Sequence, residues 1–295
     1  MKKKNLNCWR GYRHSWQNSL LAVGGWMQMS ETGSITDGRK VSFIIANWNH
    51  RQLLHECISS IYETEASLSL EIIVVDNASS DNSAEHIKKT FPGVVWLQND
   101  TNRGYAEAVN QGVKLSTGDL IFLLNNDITL AENSVKMLYS FLIANQDAGA
   151  VAPRLYYPDG RKQISCSRFP TLPALLMEFF GIDKIWHYRR LTLKEEEHLS
   201  TGIVQQPMTS ALMVKRKCWN SVGPMDEGFP IFFNDVDWCY RLYANTPYRI
   251  YLFPEAKAVH HKGASVKRLG YKKWLIFSRG LMRFYRKHFP FRSVW

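Results

Sequence analysis

The sequence predicts an α/β fold built on a mainly parallel, doubly wound sheet. Three observations predict it. From Val41 to Asp127 short apolar runs alternate with segments of helical spacing. One run, Leu120–Leu124, is wholly apolar, as a strand buried on both faces must be. Finally, amides or carboxylates follow each strand of this half within a few residues, at Asn47/Asn49, Asp76/Asn77, Asn102/Arg103 and Asn125–Asp127. In open α/β sheets ligands bind beyond the carboxyl ends of the strands. Any one of these residues could be a turn former; four sets in register mark one edge of the sheet as the candidate site.

The elements follow in order. Residues 1–39 show no clear period, and the Gly, Ser, Thr and Asp at 30–38 read as a linker, so this stretch is expected to be an extension outside the core. Val41–Ala46 is a strand. Leu53, Leu54, Cys57, Ile58 and Ile61 then recur at helical spacing through 51–62. Glu71–Val75 is the second strand, and Ser79–Asn82 offer caps for a helix ending near Thr90. A third strand covers Val94–Leu97, a helix runs from Asn102-Arg-Gly104 to about Leu115, and Ser116–Asp119 turns into Leu120–Leu124. Beyond Asp127 the order changes. Helices are expected at 133–145, 218–222 and 235–244, the last with Asn234 as cap, and strands at 151–157, 208–214 and 248–252. Residues 161–205 show no readable pattern, and 258–265 read as a loop or strand end. Tyr271–His288 is a basic amphipathic helix, with Trp274, Phe277, Leu281, Phe284 and Tyr285 on one face and Arg279, Arg283 and Arg286 on another.

Composition bounds the function. A chain of 295 residues buries a large core as one domain or two. The net charge of +11 sits at the ends: residues 1–40 hold seven Lys/Arg against two Asp/Glu, and residues 256–295 hold eleven Lys/Arg and no acid. The stretch between them carries −5. Such ends suit a membrane surface better than a uniformly basic nucleic-acid reader. Five scattered cysteines, Cys8, Cys57, Cys166, Cys218 and Cys239, read as reduced thiols of a cytosolic protein. No apolar run approaches the roughly 18 residues of a membrane span, and Ser19–Trp26 lacks the features of a secretory signal. There is no G-x-G-x-x-G after a strand and no G-x-x-x-x-G-K-[ST], so a nucleotide would be read by side chains. The Asp76 carboxylate could accept a hydrogen from a pyrimidine N3–H.

Val41–Asn49, Asp76-Asn-Ala-Ser-Ser-Asp81, Asn102-Arg-Gly-Tyr-Ala-Glu-Ala-Val-Asn110 and Asn125-Asn-Asp127 together resemble the inverting, GT-A-type glycosyltransferases of family 2. The likeness is nearest to bacterial rhamnosyltransferase-like members that build cell-surface polysaccharides. It continues through Thr209-Ser-Ala211, Val222-Gly-Pro-Met-Asp-Glu227, Asn234-Asp-Val-Asp-Trp238 and Pro254…His260…Gly263…Ser265, covering about 41–290. The resemblance implies a glycosyltransferase domain over 40–270, with a nucleotide-sugar half (40–130), an acceptor half (131–270) and the basic helix after it. Asn47, Asn49, Asp76, Asn77, Arg103, Asn125, Asn126 and Asp127 would then hold the donor. Asp127 would end a D-x-D-like motif and, with His260, bind Mg²⁺ or Mn²⁺, which suit such ligands. Asp235 would be the base that takes the acceptor proton, and Asp237, Trp238 and Arg241 would meet the acceptor, although Asp237 could instead pair with Arg241. Asn125 and Asn234 stand where the family pattern has carboxylates.

The implied reaction moves a sugar from a nucleoside-diphosphate donor, dTDP-rhamnose or a UDP-sugar, to a hydroxyl of a lipid-linked or polysaccharide acceptor. The place would be the inner face of the cell membrane, touched by the C-terminal helix or with that helix packed on the catalytic domain. No nucleic-acid partner is expected. Two alternatives stay open: an inactive sugar-nucleotide-binding or scaffold protein, motivated by Asn125 and Asn234, and a nucleotidyltransferase sharing sheet and metal.

Overall fold

A computed structural model of the chain describes residues 38–64, 68–170, 198–229, 231–261 and 272–289. The N-terminal extension up to residue 37, Cys8, Gly263 and Ser265 lie outside the described residues. The first half is β1 (Val41–Asn47), α1 (Arg51–Thr64), β2 (Leu70–Asn77), α2 (Ser83–Thr90), β3 (Val95–Asn99), α3 (Tyr105–Leu115) and β4 (Leu120–Asn125). Its strands lie in the order β3-β2-β1-β4, all parallel.

Alternation along the strands builds two cores, because successive side chains leave a strand on opposite faces. Phe43, Ile45, Phe122 and Leu124 pack with Leu54, Cys57, Ile58 and Ile61 of α1. Ile44, Ile121 and Leu123 pack with Ala106, Val109 and Val113 of α3. β4 therefore has no solvent side, which is why its sequence is apolar throughout. α3 approaches closely at Gly112, where a Cβ would lie 2.5 Å from Ile44 Cγ2.

The second half extends the same sheet with mixed direction. It comprises β5 (Ile128–Leu130), α4 (Ser134–Ala144), β6 (Ala148–Tyr156), β7 (Cys166–Ser167), β8 (Gly202–Val204), β9 (Gln206–Pro207), β10 (Ala211–Lys215), α5 (Arg216–Val222), α6 (Asn234–Asn245), β11 (Arg249–His260) and α7 (Lys272–His288). β10 inserts antiparallel between β4 and β6. β11 runs parallel to β6 and carries β5 and β8 antiparallel. Its register sets His260 opposite Ile128, the residue after Asp127. β7 and β9 pair apart from the main sheet.

The differences from sequence expectation have local causes. The strand expected from Met208 begins at Ala211, because Met208 N–H is already bonded to the carbonyl of Ser165. β11 reaches His260 rather than Leu252; its outward positions include Glu255 and Lys257, which hide a strand whose other face is buried. Asn82 precedes α2 in the left-handed region at φ 59° with no side-chain cap bond, and Asp81 caps instead, its Oδ1 accepting the Ser83 N–H at 3.2 Å. Cys57, Cys166, Cys218 and Cys239 are buried free thiols, and burial pushes Cys166 and Cys218 up to about 12. No described helix is long and apolar enough to cross a membrane.

Leu123 is fully buried. Leu123→Ala is expected to lower unfolding free energy by about 3 kcal/mol in urea titration; a loss below about 1 kcal/mol would mean the β4 layer is not tightly packed.

Candidate functional site

The parallel register brings the polar strand ends together. Asn47 lies opposite Asp76, Asp76 opposite Gln98, Asn77 opposite Asn99 and Ala46 opposite Asn125. Asp76 is 1% exposed. Its Oδ1 accepts from Asn47 Nδ2 at 2.6 Å and from the Ser79 hydroxyl. Its Oδ2 accepts from Ser79 N–H at 2.8 Å and Gln98 Nε2 at 2.7 Å. The row continues as Asn126 Nδ2 donates to Asn47 Oδ1 at 2.7 Å. All four acceptor positions of the carboxylate are thus engaged, so a base N3–H could reach Asp76 only by displacing one donor. Gln98 is the exposed one.

Backbone strain concentrates on this edge. Asn49 and His50 (φ 60° and 63°) and Ala78 (φ 59°) sit in the left-handed region that side chains avoid. Asn49 Oδ1 accepts the Ser80 N–H at 3.0 Å, tying the two loops together. Asn77 Nδ2 donates to the carbonyl of Gly104, and Asn77 Oδ1 accepts from Asn99 Nδ2 and Arg103 N–H. The Arg103 guanidinium is exposed and pairs with Glu107 at 2.9 Å.

Asp127 lies just past β4. Its Oδ1 is buried, makes no hydrogen bond and lies 3.4 Å from His260 Nε2. His260 Nδ1 faces Gln163 Oε1 at 3.2 Å. An amide oxygen only accepts, so Nδ1 carries the proton and, in the neutral ring, Nε2 turns a lone pair toward Asp127. Two lone pairs facing each other want a cation between them. Ligands about 2.1 Å from one six-coordinate ion lie roughly 3.0 Å apart when adjacent. The pair therefore fits a divalent cation, and Gln163 fixes the ring from behind as outer partners of metal-bound histidines do. Among the described residues no third His, Cys, Asp or Glu joins them.

Asp235 stands in the first turn of α6, where the helix dipole favours a carboxylate. Phe233, just before the helix, has φ 72°. Asn234 is not the side-chain cap; it is the first helical residue, and its Oδ1 accepts the Asp235 N–H at 2.7 Å. Asp235 Oδ2 accepts from Gln206 Nε2 at 3.2 Å and Oδ1 from Val236 N–H. Although Asp235 keeps some accessible surface, the protein packed around it raises its carboxyl above the usual range, and those hydrogen bonds only partly counter this. A raised carboxyl makes a stronger base once ionised. The Tyr105 hydroxyl donates to the carbonyl of Thr209 at 3.1 Å; burial raises its phenol, that hydrogen bond lowers it, and the charges of Asp235 and Asp127 add smaller increases.

Three expected acceptor contacts are corrected. Trp238 is fully buried, stacks on Trp219 with centroids 5.3 Å apart, and donates Nε1–H to the carbonyl of Gly223. Asp237, also fully buried, is held by Arg241 at 2.9 Å, Lys287 at 2.8 Å and His288 at 2.7 Å. Arg241 further donates to the carbonyls of Val222 and Pro224. These three anchor α6 rather than face an acceptor, and the alternative partner of Asp237, Arg241, is the one observed. Sequence reading missed Gln163, Gln206 and Gln98, whose pairings run across elements. It quoted Tyr105 and Ser210 only within motifs; the Ser210 hydroxyl is buried without a hydrogen-bond partner, beside Asn125 N–H, which the Ser210 carbonyl accepts.

Asp235 and Asp237 should answer oppositely in melting experiments. Asp237→Ala removes the buried carboxylate that pairs with Arg241 and Lys287 and should cost about 3 kcal/mol. Asp235 has a folded-state carboxyl raised above its unfolded value, so its favourable contribution is present at low pH and lost as pH rises through the folded value. Asp235→Asn should hence hold or raise the melting temperature at pH 7; a clear fall would contradict the burial argument.

Known proteins resemble this chain in sequence and in fold. The Glycosyl transferase family 2 model matches residues 42–210. N-acetylglucosaminyl-diphospho-decaprenol L-rhamnosyltransferase of Mycobacterium tuberculosis is 28% identical over 227 residues, 69% of this chain and 72% of its own length. The abequosyltransferase RfbV of Salmonella typhimurium is 30% identical over 195 residues, 62% of this chain and 54% of its own. Among solved structures, the mannosyltransferase PcManGT from Pyrobaculum calidifontis, in complex with GDP-Man and Mn²⁺, shares the fold with a TM-score of 0.59 at 20% identity, covering 96% of this chain and 70% of that one. The match sets aside the nucleotidyltransferase alternative. Spanning over half of the chain, it shows that this protein belongs to glycosyl transferase family 2 and has the GT-A-type fold of a glycosyltransferase.

Proposed function

We propose that the chain transfers a sugar, with inversion, from a nucleoside-diphosphate donor to a hydroxyl of a lipid-linked or polysaccharide acceptor. The observation that carries this is a pair of differently prepared carboxylates: Asp127, with a buried oxygen that accepts no hydrogen bond and faces His260, and Asp235, at the head of α6 with a raised carboxyl. One suits a cation, the other a proton.

Each residue then has a task. Asp235 takes the proton from the acceptor hydroxyl as that oxygen attacks the anomeric carbon from the face opposite the leaving diphosphate. Gln206 holds Asp235 in place through its 3.2 Å hydrogen bond. Asp127 and His260 would hold Mg²⁺ or Mn²⁺, whose chemistry is to neutralise charge growing on the diphosphate. Gln98 occupies the place of a pyrimidine imide on Asp76, and the base displaces it. Asn47, Asn49, Asn77 and Asn126 shape the loops around the nucleotide. The exposed Arg103 turns from Glu107 toward the phosphates. dTDP-rhamnose is the first donor to try, with a UDP-sugar second; the rhamnosyltransferase relative supports that order. In this reading the acceptor lies at the inner face of the cell membrane.

Thermal shift with dTDP and UDP, with and without Mn²⁺, tests binding. Nucleotide with Mn²⁺ should raise the melting temperature, and Asp127→Ala should remove the ion-dependent part. Asp235→Asn should keep that stabilisation while transfer falls roughly 10²–10⁴-fold. Transfer by the unaltered chain should rise with pH through the raised Asp235 carboxyl, a limb that Asp235→Asn lacks. If both proteins behave alike with every donor while nucleotide still binds, the non-catalytic reading suggested by Asn125 and Asn234 replaces this one.

A further inference from the structure

The C-terminal helix has two faces of different fate. Its inner face is docked. Phe284 is fully buried with Phe229 and Phe233, and Gly280 lies against the Phe233 ring. Arg283 and Lys287 pair with Asp226 at 2.8 and 2.7 Å, and Lys287 and His288 with Asp237. These contacts hold α7 as a rigid rod of 17 residues, about 25 Å long.

The outer face is unlike that of an ordinary solvated helix. Leu275, Arg279, Met282 and Arg286 follow one another at i, i+4, i+7 and i+11, so they share a stripe. All are exposed, Leu275 by 44% and Met282 by 51%, and Trp274 on the flank is 72% exposed. No acid occurs anywhere in 272–288, and neither Arg279 nor Arg286 has an ion-pair partner among the described residues. Arg279, Arg283, Arg286 and Lys287 line a cleft with Met282 over Asp226, of ≈ 580 Å³.

We infer that this outer face of α7 lies on an anionic phospholipid surface, with Trp274, Leu275 and Met282 entering the headgroup boundary and Arg279 and Arg286 meeting lipid phosphates. Contiguous exposed apolar side chains mark an interaction site. Arginines interleaved with them can keep their charged ends at the lipid phosphates while their stems lie along apolar surface. A cationic face with a Trp and aliphatic edge is the composition of a helix lying in the bilayer interface. Nucleic acid would satisfy the arginines but leave the apolar stripe in water. The inference is independent of the sugar chemistry, because it concerns a face that carries none of the site residues.

The test uses the full chain and vesicles of phosphatidylcholine alone or mixed with phosphatidylglycerol, co-sedimented at physiological salt. The chain should bind the anionic vesicles only, and less so as salt rises. Arg279→Gln/Arg286→Gln should weaken binding roughly thirtyfold, and Trp274→Ser should weaken it without changing its salt dependence. Both variants should melt like the unaltered chain, and Trp274→Ser carries the test if the double variant does not fold. Equal binding to both vesicle types, no binding to anionic vesicles, unchanged binding by the variants, or retention on RNA but not vesicles would each overturn the inference.

Discussion

Burying a carboxylate is costly unless each of its lone pairs meets a donor, and Asp76 imposes that condition on the edge of the sheet. Two donors come from Ser79, which shapes the turn after β2. One comes from Asn47 on β1 and one from Gln98 on β3, so three strands must end in register. Asn47 in turn takes a hydrogen bond from Asn126, which fixes how the chain leaves β4 toward Asp127. The position of Asp127 is thereby coupled to the buried Asp76 carboxylate.

Asp235 depends on a second set of constraints. α6 begins after a residue in the left-handed region, Phe233, and Phe277 and Phe284 of α7 hold that ring. Along α6, Asp235 and Asp237 are two residues apart and so point roughly 200° apart around the axis. One is left with a raised carboxyl; the other is tied to Arg241, Lys287 and His288. The orientation of the first depends on the anchoring of the second.

Much of this was legible in the chain. The apolar run Leu120–Leu124, the alternation from Val41 and the amides after each strand are local patterns, and the sheet follows them. Asp127 and His260 were readable as a pair only through resemblance. Their proximity rests on β11 running on past Leu252 to His260, and outward-facing polar residues disguise that length. Trp238 and Arg241 were misplaced because a polar or aromatic residue beside a candidate carboxylate looks functional in one dimension, whereas a helix turns it inward. The partners Gln98, Gln163 and Gln206 lie 22, 97 and 29 residues from Asp76, His260 and Asp235. No local signal announces such pairings; topology alone makes them.

The uneven charge of the chain also changes meaning. Eleven cationic residues without an acid in 256–295 look like an address for an external polyanion. Yet Arg283 and Lys287 are neutralised by Asp226 and Asp237, acids of the stretch that carries −5. Part of the excess is therefore an internal code that docks α7 on the domain. Arg279 and Arg286 face outward, among exposed apolar side chains. Charge count along the sequence overstates the attraction this helix exerts, and the structure divides it into a share that fixes the helix and a share that can act on a partner. The first share makes the second effective, because a face must be held still before its arginines and its tryptophan can meet one plane together.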